Sequence, residues 1–317
     1  MKPKKIIIDC DPGHDDAVAI LLALASPQEI DVLGITSVAG NVPIELTTKN
    51  TLRVCELAGC SSVNVYQGCS RPMVKDLVTA EYVHGETGLD LPNGLVLPEP
   101  KLAIQDKHGV DFIIDTLISE PEGSVTLCVL GPQTNVAMAF VKEPAIISRV
   151  NEVVCMGGAA ITPGNVTPSA EFNFYVDPHA ASVVFRSGVP ITMMGLDVTH
   201  QVLVTKDRQR KIRANGGKTS NIVSDFMEFY CQFDIGRYGM DGGPLHDPCV
   251  IAYVLDETIF STRNVNVVIE ADASLTLGES IADWWHATDR IPNCHVGESV
   301  KAERFFDLLI GRLSKLP

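Results

Sequence analysis

The chain has 317 residues, is 45% hydrophobic and 20% charged, and carries a formal net charge of −14. That balance is ordinary for a globular protein, and the negative excess disfavours a nucleic-acid backbone or an anionic membrane surface while leaving a small neutral ligand open. Nine cysteines without C-x-x-C spacing argue against a disulfide framework or a structural zinc site, and no run is long and apolar enough to span a bilayer.

Short β-rich runs alternate with longer helical patterns from the start. Residues 4–9 predict a strand, 15–25 a helix stopped by Ser26-Pro27, 31–38 a strand, 44–58 a helix up to Gly59, and 63–67 a strand. Residues 70–107 are rich in Pro, Gly and charge, lack periodicity, and are too long for a plain connection; a flap over a site is expected there. Then come a helix at 111–119, a strand at 125–130, a helix at 135–141, a strand at 152–156, a helix at 178–187 and a strand at 190–195. Helices at 206–214, 220–233 and 248–255, a strand at 265–269 and a closing helix at 302–313 complete the chain. This alternation predicts an α/β fold with an open, mostly parallel sheet flanked by helices, formed by a single domain over 1–317. Cys55, Cys128 and Cys155 lie in apolar runs and read as buried free thiols. The three apolar residues that follow Met1–Lys5 do not make a signal peptide, so the expected compartment is the cytoplasm.

In such a sheet, ligands bind at the C-terminal ends of the strands. The polar residues gather there. The first strand ends in Asp9-Cys10-Asp11-Pro12-Gly13-His14-Asp15-Asp16, with four carboxylates in eight residues. Such a cluster is tolerable when solvated, when it shares protons, or when a hard cation sits among the oxygens. It is not an EF-hand, because Gly13 stands where a ligand is needed and Ile20 where the bidentate Glu belongs. A phosphoaspartate phosphatase also places two Asp one residue apart after its first strand, but Gly13 and the extra Asp15-Asp16 pair argue against that reading. Asp15 and Asp16 also suit a helix N-terminus, which accounts for two carboxylates and leaves two.

Gly40-Asn41, Gly131-Pro132-Gln133-Thr134-Asn135, Met156-Gly157-Gly158 and Asp197 follow strands and reach the same edge, and His246-Asp247-Pro248 and Asn165 with Glu171-Phe172-Asn173 are further site-like groups. Asp177 and Asp247, each before a proline, read as helix N-caps. Glu171 and Asn173 alternate in a strand-like stretch and should face the same way.

Taken in this order, the motifs resemble those of the nucleoside hydrolases, inosine–uridine preferring group, and are most similar to bacterial members that prefer pyrimidine ribonucleosides. The resemblance spans the chain, strongly to about Ala252. It implies a calcium ion held by Asp11, Asp16, Asp247 and the main-chain carbonyl of Leu130. It implies that Asp15, Asn41, Asn165, Glu171 and Asn173 hold the ribose, that Met156 packs beneath it, and that His84 belongs to a flap. Asp9 is then a supporting residue behind the ligands. Asp11 is the expected general base and His246 the nearest acid for the departing base, with a pKa that can straddle neutrality. Asp234 and Tyr238 are candidates to face the base, although a tyrosine there also reads as core. Trp284-Trp285 read as core or interface. The implied enzyme releases ribose and a free base and forms a homodimer or homotetramer. The rival from another class is a nucleoside- or ribose-binding protein without turnover, which has no need of both Asp11 and His246.

Overall fold

The computed structural model describes residues 2–317. Its strands in chain order are β1 (Lys4–Cys10), β2 (Ile30–Ser37), β3 (Val65–Gln67), β4 (Val125–Val129), β5 (Val150–Met156), β6 (Ile191–Met194), β7 (Leu203–Thr205), β8 (Gly242–Pro244), β9 (Phe260–Val265), β10 (Val267–Ile269), β11 (Ser280–Ala282) and β12 (Cys294–Val300). Eight form one sheet in the order β3-β2-β1-β4-β5-β6-β12-β9. Every pairing in it is parallel except that of β12 with β9. The small pairs β7–β8 and β10–β11 are antiparallel.

The run Ile6-Ile7-Ile8 shows why β1 lies at the centre. All three side chains are fully buried, as a strand covered on both faces requires. Ile6 and Ile8 join one apolar cluster with the helix His14–Leu24, while Ile7 joins the other with the helix Gly109–Ser119. Strand order reverses between β1 and β4, and a crevice opens at such a reversal. Asp11 follows β1 there, and Leu130 follows β4.

The predicted elements are found with ends shifted by a few residues, with these exceptions. The stretch around Glu171–Asn173 is the start of a helix, Phe172–Val176, so alternation does not govern its side chains. The helix expected at 220–233 runs Lys218–Tyr238 and ends at Gly239, whose φ of 65° lies in the left-handed region that glycine tolerates. Strands β12 and β9, which the sequence pattern misses, extend the main sheet beyond β6, and the strand expected at 265–269 is β10 of a separate pair. The 70–107 segment carries a short helix, Glu81–His84, and lies over the C-terminal ends of β1 and β2, where Ala80 N–H donates to Asn41 O at 2.8 Å. All nine cysteines are free, and Cys55, Cys128 and Cys155 are buried as expected.

Candidate active site

The loop after β1 folds around its own carboxylates. Asp16, in the first turn of the helix His14–Leu24, turns back: Oδ1 accepts from Asp11 N–H and Oδ2 from Gly13 N–H, both at 3.1 Å. Asn41, after β2, closes the loop from the other side. Its N–H donates to Asp11 Oδ2 at 2.7 Å, and its side-chain amide donates to Asp11 O at 3.1 Å and Asp16 Oδ2 at 3.2 Å. Asp11 Oδ1 is buried and has no partner. A Cβ on Gly40 or Gly131 would lie 2.1 or 2.2 Å from the two Asp11 oxygens, so both glycines leave room that the carboxylate fills.

Asp247 was expected to cap the helix Pro248–Leu255. Its side chain makes no capping bond. It turns instead to the loop after β1, where Asp15, Asp16 and Asp247 present oxygens within 4.8 Å of one another. Asp11 lies beside this triad, whereas the sequence reading grouped Asp11 with Asp16 and Asp247 and gave Asp15 to the sugar. Burial raises all four carboxyls. Asp15 is pushed to about 8 and Asp16 to about 6; Asp11 and Asp247 are held well above the usual carboxylate range, burial acting first and the neighbouring carboxylates second. Protons or a hard cation must relieve this crowding, and a buried set of carboxylate oxygens with one unpartnered atom suits a cation. Asp9 sits behind the set, accepting from Thr36 Oγ1 and from Asn135 Nδ2 at 2.7 Å, and burial lifts it to about 7.

The cleft above this floor is open to solvent. Asp11, Asp15, Asn41, His84, Leu130, Met156, Asn165, Glu171, Asn173, Asp234, Tyr238, His246 and Asp247 all line it; Asp16 lies beneath. Asn173 Nδ2 donates to Leu130 O at 2.7 Å and Met156 O at 3.3 Å, tying the ends of β4 and β5 together. Glu171 is the N-cap of its helix. It accepts from Asn173 N–H and Gly158 N–H at 2.9 Å and Phe174 N–H at 3.2 Å, yet burial still pushes it to about 7. Asn165 Oδ1 accepts from Phe172 N–H at 3.0 Å.

His84 is buried and stacked on His14 and Tyr230. Burial lowers both of these histidines, His14 to about 4, so the rings are neutral. His246 Nδ1 lies 2.7 Å from Thr199 Oγ1. Burial first and His200 second push His246 down to about 3, so its pKa does not straddle neutrality and the resting ring is uncharged. Tyr238 is not a core residue: it is 41% exposed at the rim, and its hydroxyl donates to Asn165 O at 3.2 Å. Trp284 is half-buried and donates to Ala160 O at 3.4 Å, Trp285 is exposed, and neither lines the cleft. Asp197 accepts from the backbone N–H of Ala160, Ile161 and Thr162. The sequence reading missed Tyr82, Phe172, His200, Tyr230 and Phe233 in the cleft wall. The available signal was the spacing Phe226-Phe229-Tyr230-Phe233 on one helix, which equally fits a core stripe.

The family model for inosine-uridine preferring nucleoside hydrolases matches residues 6–307. The chain belongs to that family. It is 43% identical to the pyrimidine-specific ribonucleoside hydrolase RihA of Citrobacter koseri, with 98% of this chain and 97% of the relative covered. Among solved structures, the purine-preferring ribonucleoside hydrolase from Gardnerella vaginalis superposes with a TM-score of 0.90 at 34% identity, covering 98% of both chains. The plant nucleoside hydrolase PpNRh1 also gives 0.90, at 33% identity, covering 98% of this chain and 99% of that one. This nucleoside hydrolase is therefore an enzyme that cleaves ribonucleoside N-glycosidic bonds, and its mostly parallel sheet is the one the relatives share. Among the described residues, no helix is long and apolar enough to cross a membrane.

Proposed function

We propose that this hydrolase is calcium-dependent, prefers uridine and cytidine, and releases ribose and the free pyrimidine. The observation that carries the metal is the unpartnered Asp11 Oδ1 beside the converging Asp15, Asp16 and Asp247 oxygens. Asp11, Asp16 and Asp247, with the Leu130 carbonyl, would hold the ion, and Asp15 stands close enough to share it. A hard divalent cation supplies charge that keeps these carboxylates ionised, acidifies water and orients a sugar diol.

The chain's own residues do the rest. Asp11 accepts the proton of the attacking water through Oδ1. Asp15, Asn41, Asn165, Glu171 and Asn173 bind the ribose over Met156, and the carboxylates of Asp15 and Glu171 favour the positive character that develops on the sugar. Neutral His246 offers its second ring nitrogen as a hydrogen-bond donor to the leaving base when the Thr199 hydroxyl donates to Nδ1. Asp234 and Tyr238 face the base from the helix Lys218–Tyr238. The whole chain acts as one domain, placed in the cytoplasm, and assembles as a dimer or tetramer. The 43% identity to a pyrimidine-specific relative supports the base preference over the 34% identity to a purine-preferring one.

A nucleoside panel tests the reading. kcat/KM for uridine and cytidine should exceed that for inosine and guanosine, and chelation should abolish ribose release until calcium is restored. A higher value for the purines would overturn the preference, and restoration by magnesium alone would overturn calcium.

A further inference from the structure

His14 stands in the middle of the acidic motif, and the mechanism above leaves it without a role. It is fully buried. Its Nε2 lies 2.8 Å from Asp90 O, a main-chain carbonyl in the flap. A carbonyl only accepts, so Nε2 carries the hydrogen and Nδ1 of the neutral ring is bare. His84 Nδ1 lies 3.2 Å from that Nδ1. Were His84 Nδ1 bare as well, the two nitrogens would face each other lone pair to lone pair, and His14 Nδ1 would forgo its hydrogen bond. The His84 ring can come so close because residue 13 is glycine: a Cβ there would lie 2.6 Å from His84 Cε1 and Nδ1.

We propose that His14 is a positioning residue that buttons the flap onto the acidic loop by accepting a hydrogen bond from His84 Nδ1–H and donating to Asp90 O. His84 Nε2 is then a bare acceptor that takes a hydroxyl hydrogen of the substrate. The relay runs from Asp90 O through both rings to the cleft. Other contacts hold the flap at the same place: Asn50 Nδ2 donates to Pro12 O at 3.1 Å and Thr87 O at 2.8 Å. Asp90 also closes its own turn by accepting from Glu86 N–H and Thr87 N–H at 3.1 Å. The competing donor is the His14 backbone N–H, 3.3 Å from His84 Nδ1, which selects the opposite tautomer of His84.

The kinetic part rests on the ribonucleoside reading, but the tautomer part does not. Nitrogen-15 spectra of histidine-labelled, substrate-free enzyme should show His84 protonated on Nδ1, and protonation on Nε2 would overturn the proposal. His14→Phe keeps the ring shape and removes both bonds. It should move the His84 hydrogen to Nε2 and raise KM for uridine about tenfold, the worth of one hydrogen bond. His14→Asn restores an acceptor and a donor and should bring KM back toward wild type. An unchanged KM in His14→Phe, or equal damage in both variants, would show that His14 only fills space. Absence of turnover of any ribonucleoside by the wild-type enzyme would sink the functional reading and leave the spectroscopic result standing.

Discussion

Asp11 holds one oxygen against Asn41 N–H and keeps the other free of protein donors. Asn at this position preserves the first contact and places an N–H₂ where the free oxygen was. Asp11→Asn should therefore lower kcat by about 10²–10⁴-fold, the usual worth of a positioned acid or base, with an unchanged circular-dichroism spectrum. Wild-type turnover in this variant would remove Asp11 from the role of base. Residues of this kind were legible because four carboxylates in one short segment have few structural uses. His84 and His246 were legible as positions but not as chemistry. Burial sets their protonation, and burial depends on Tyr230, His200 and Thr199, which the sequence does not place beside them.

The helix Lys218–Tyr238 builds a wall of the cleft by repeating a four-residue step: Tyr230, Asp234 and Tyr238 share one face. Burial lifts Asp234 from 3.8 to about 6, against the pull of a backbone hydrogen bond and of Arg237. Its folded form holds the proton more tightly than the unfolded chain does. It therefore stabilises the fold fully below about pH 4, and that contribution is lost as pH rises through 6. Asp234→Asn cannot ionise, so its unfolding free energy should fall less between pH 4 and 7, by on the order of 2 kcal/mol. Urea denaturation at several pH values reads this, and parallel curves for the two proteins would show that Asp234 is not held up by burial. At the same scale the sequence misled twice. Phe172–Val176 is aromatic and β-branched enough to resemble a strand, but the Glu171 carboxylate caps two backbone N–H groups and starts a helix. Strand β12 has a weak local pattern and is fixed by pairing with β6 and β9, which are remote in the chain.

Across the whole molecule, the carboxylates that meet at the cleft floor come from the loop after the first strand and from the segment before a late helix. Backbone and amide N–H groups temper their mutual repulsion, but no lysine or arginine lines the cleft among the described residues to neutralise it. An ion bound there stabilises only the folded chain, because unfolding separates Asp16 from Asp247. At a hundred times its dissociation constant, such an ion adds about 2.7 kcal/mol, which for a protein of this size is about 5 °C in Tm. Calcium should therefore raise the Tm of the chelated wild type by roughly this amount. It should leave Asp247→Ala unmoved, because that variant separates the late ligand from the early ones. The variant also loses one like charge from the cluster, so its metal-free Tm should lie at or above that of the metal-free wild type. Equal calcium shifts in the two proteins would mean that the ion binds elsewhere, and the crowded carboxylates would then have to be held together by shared protons.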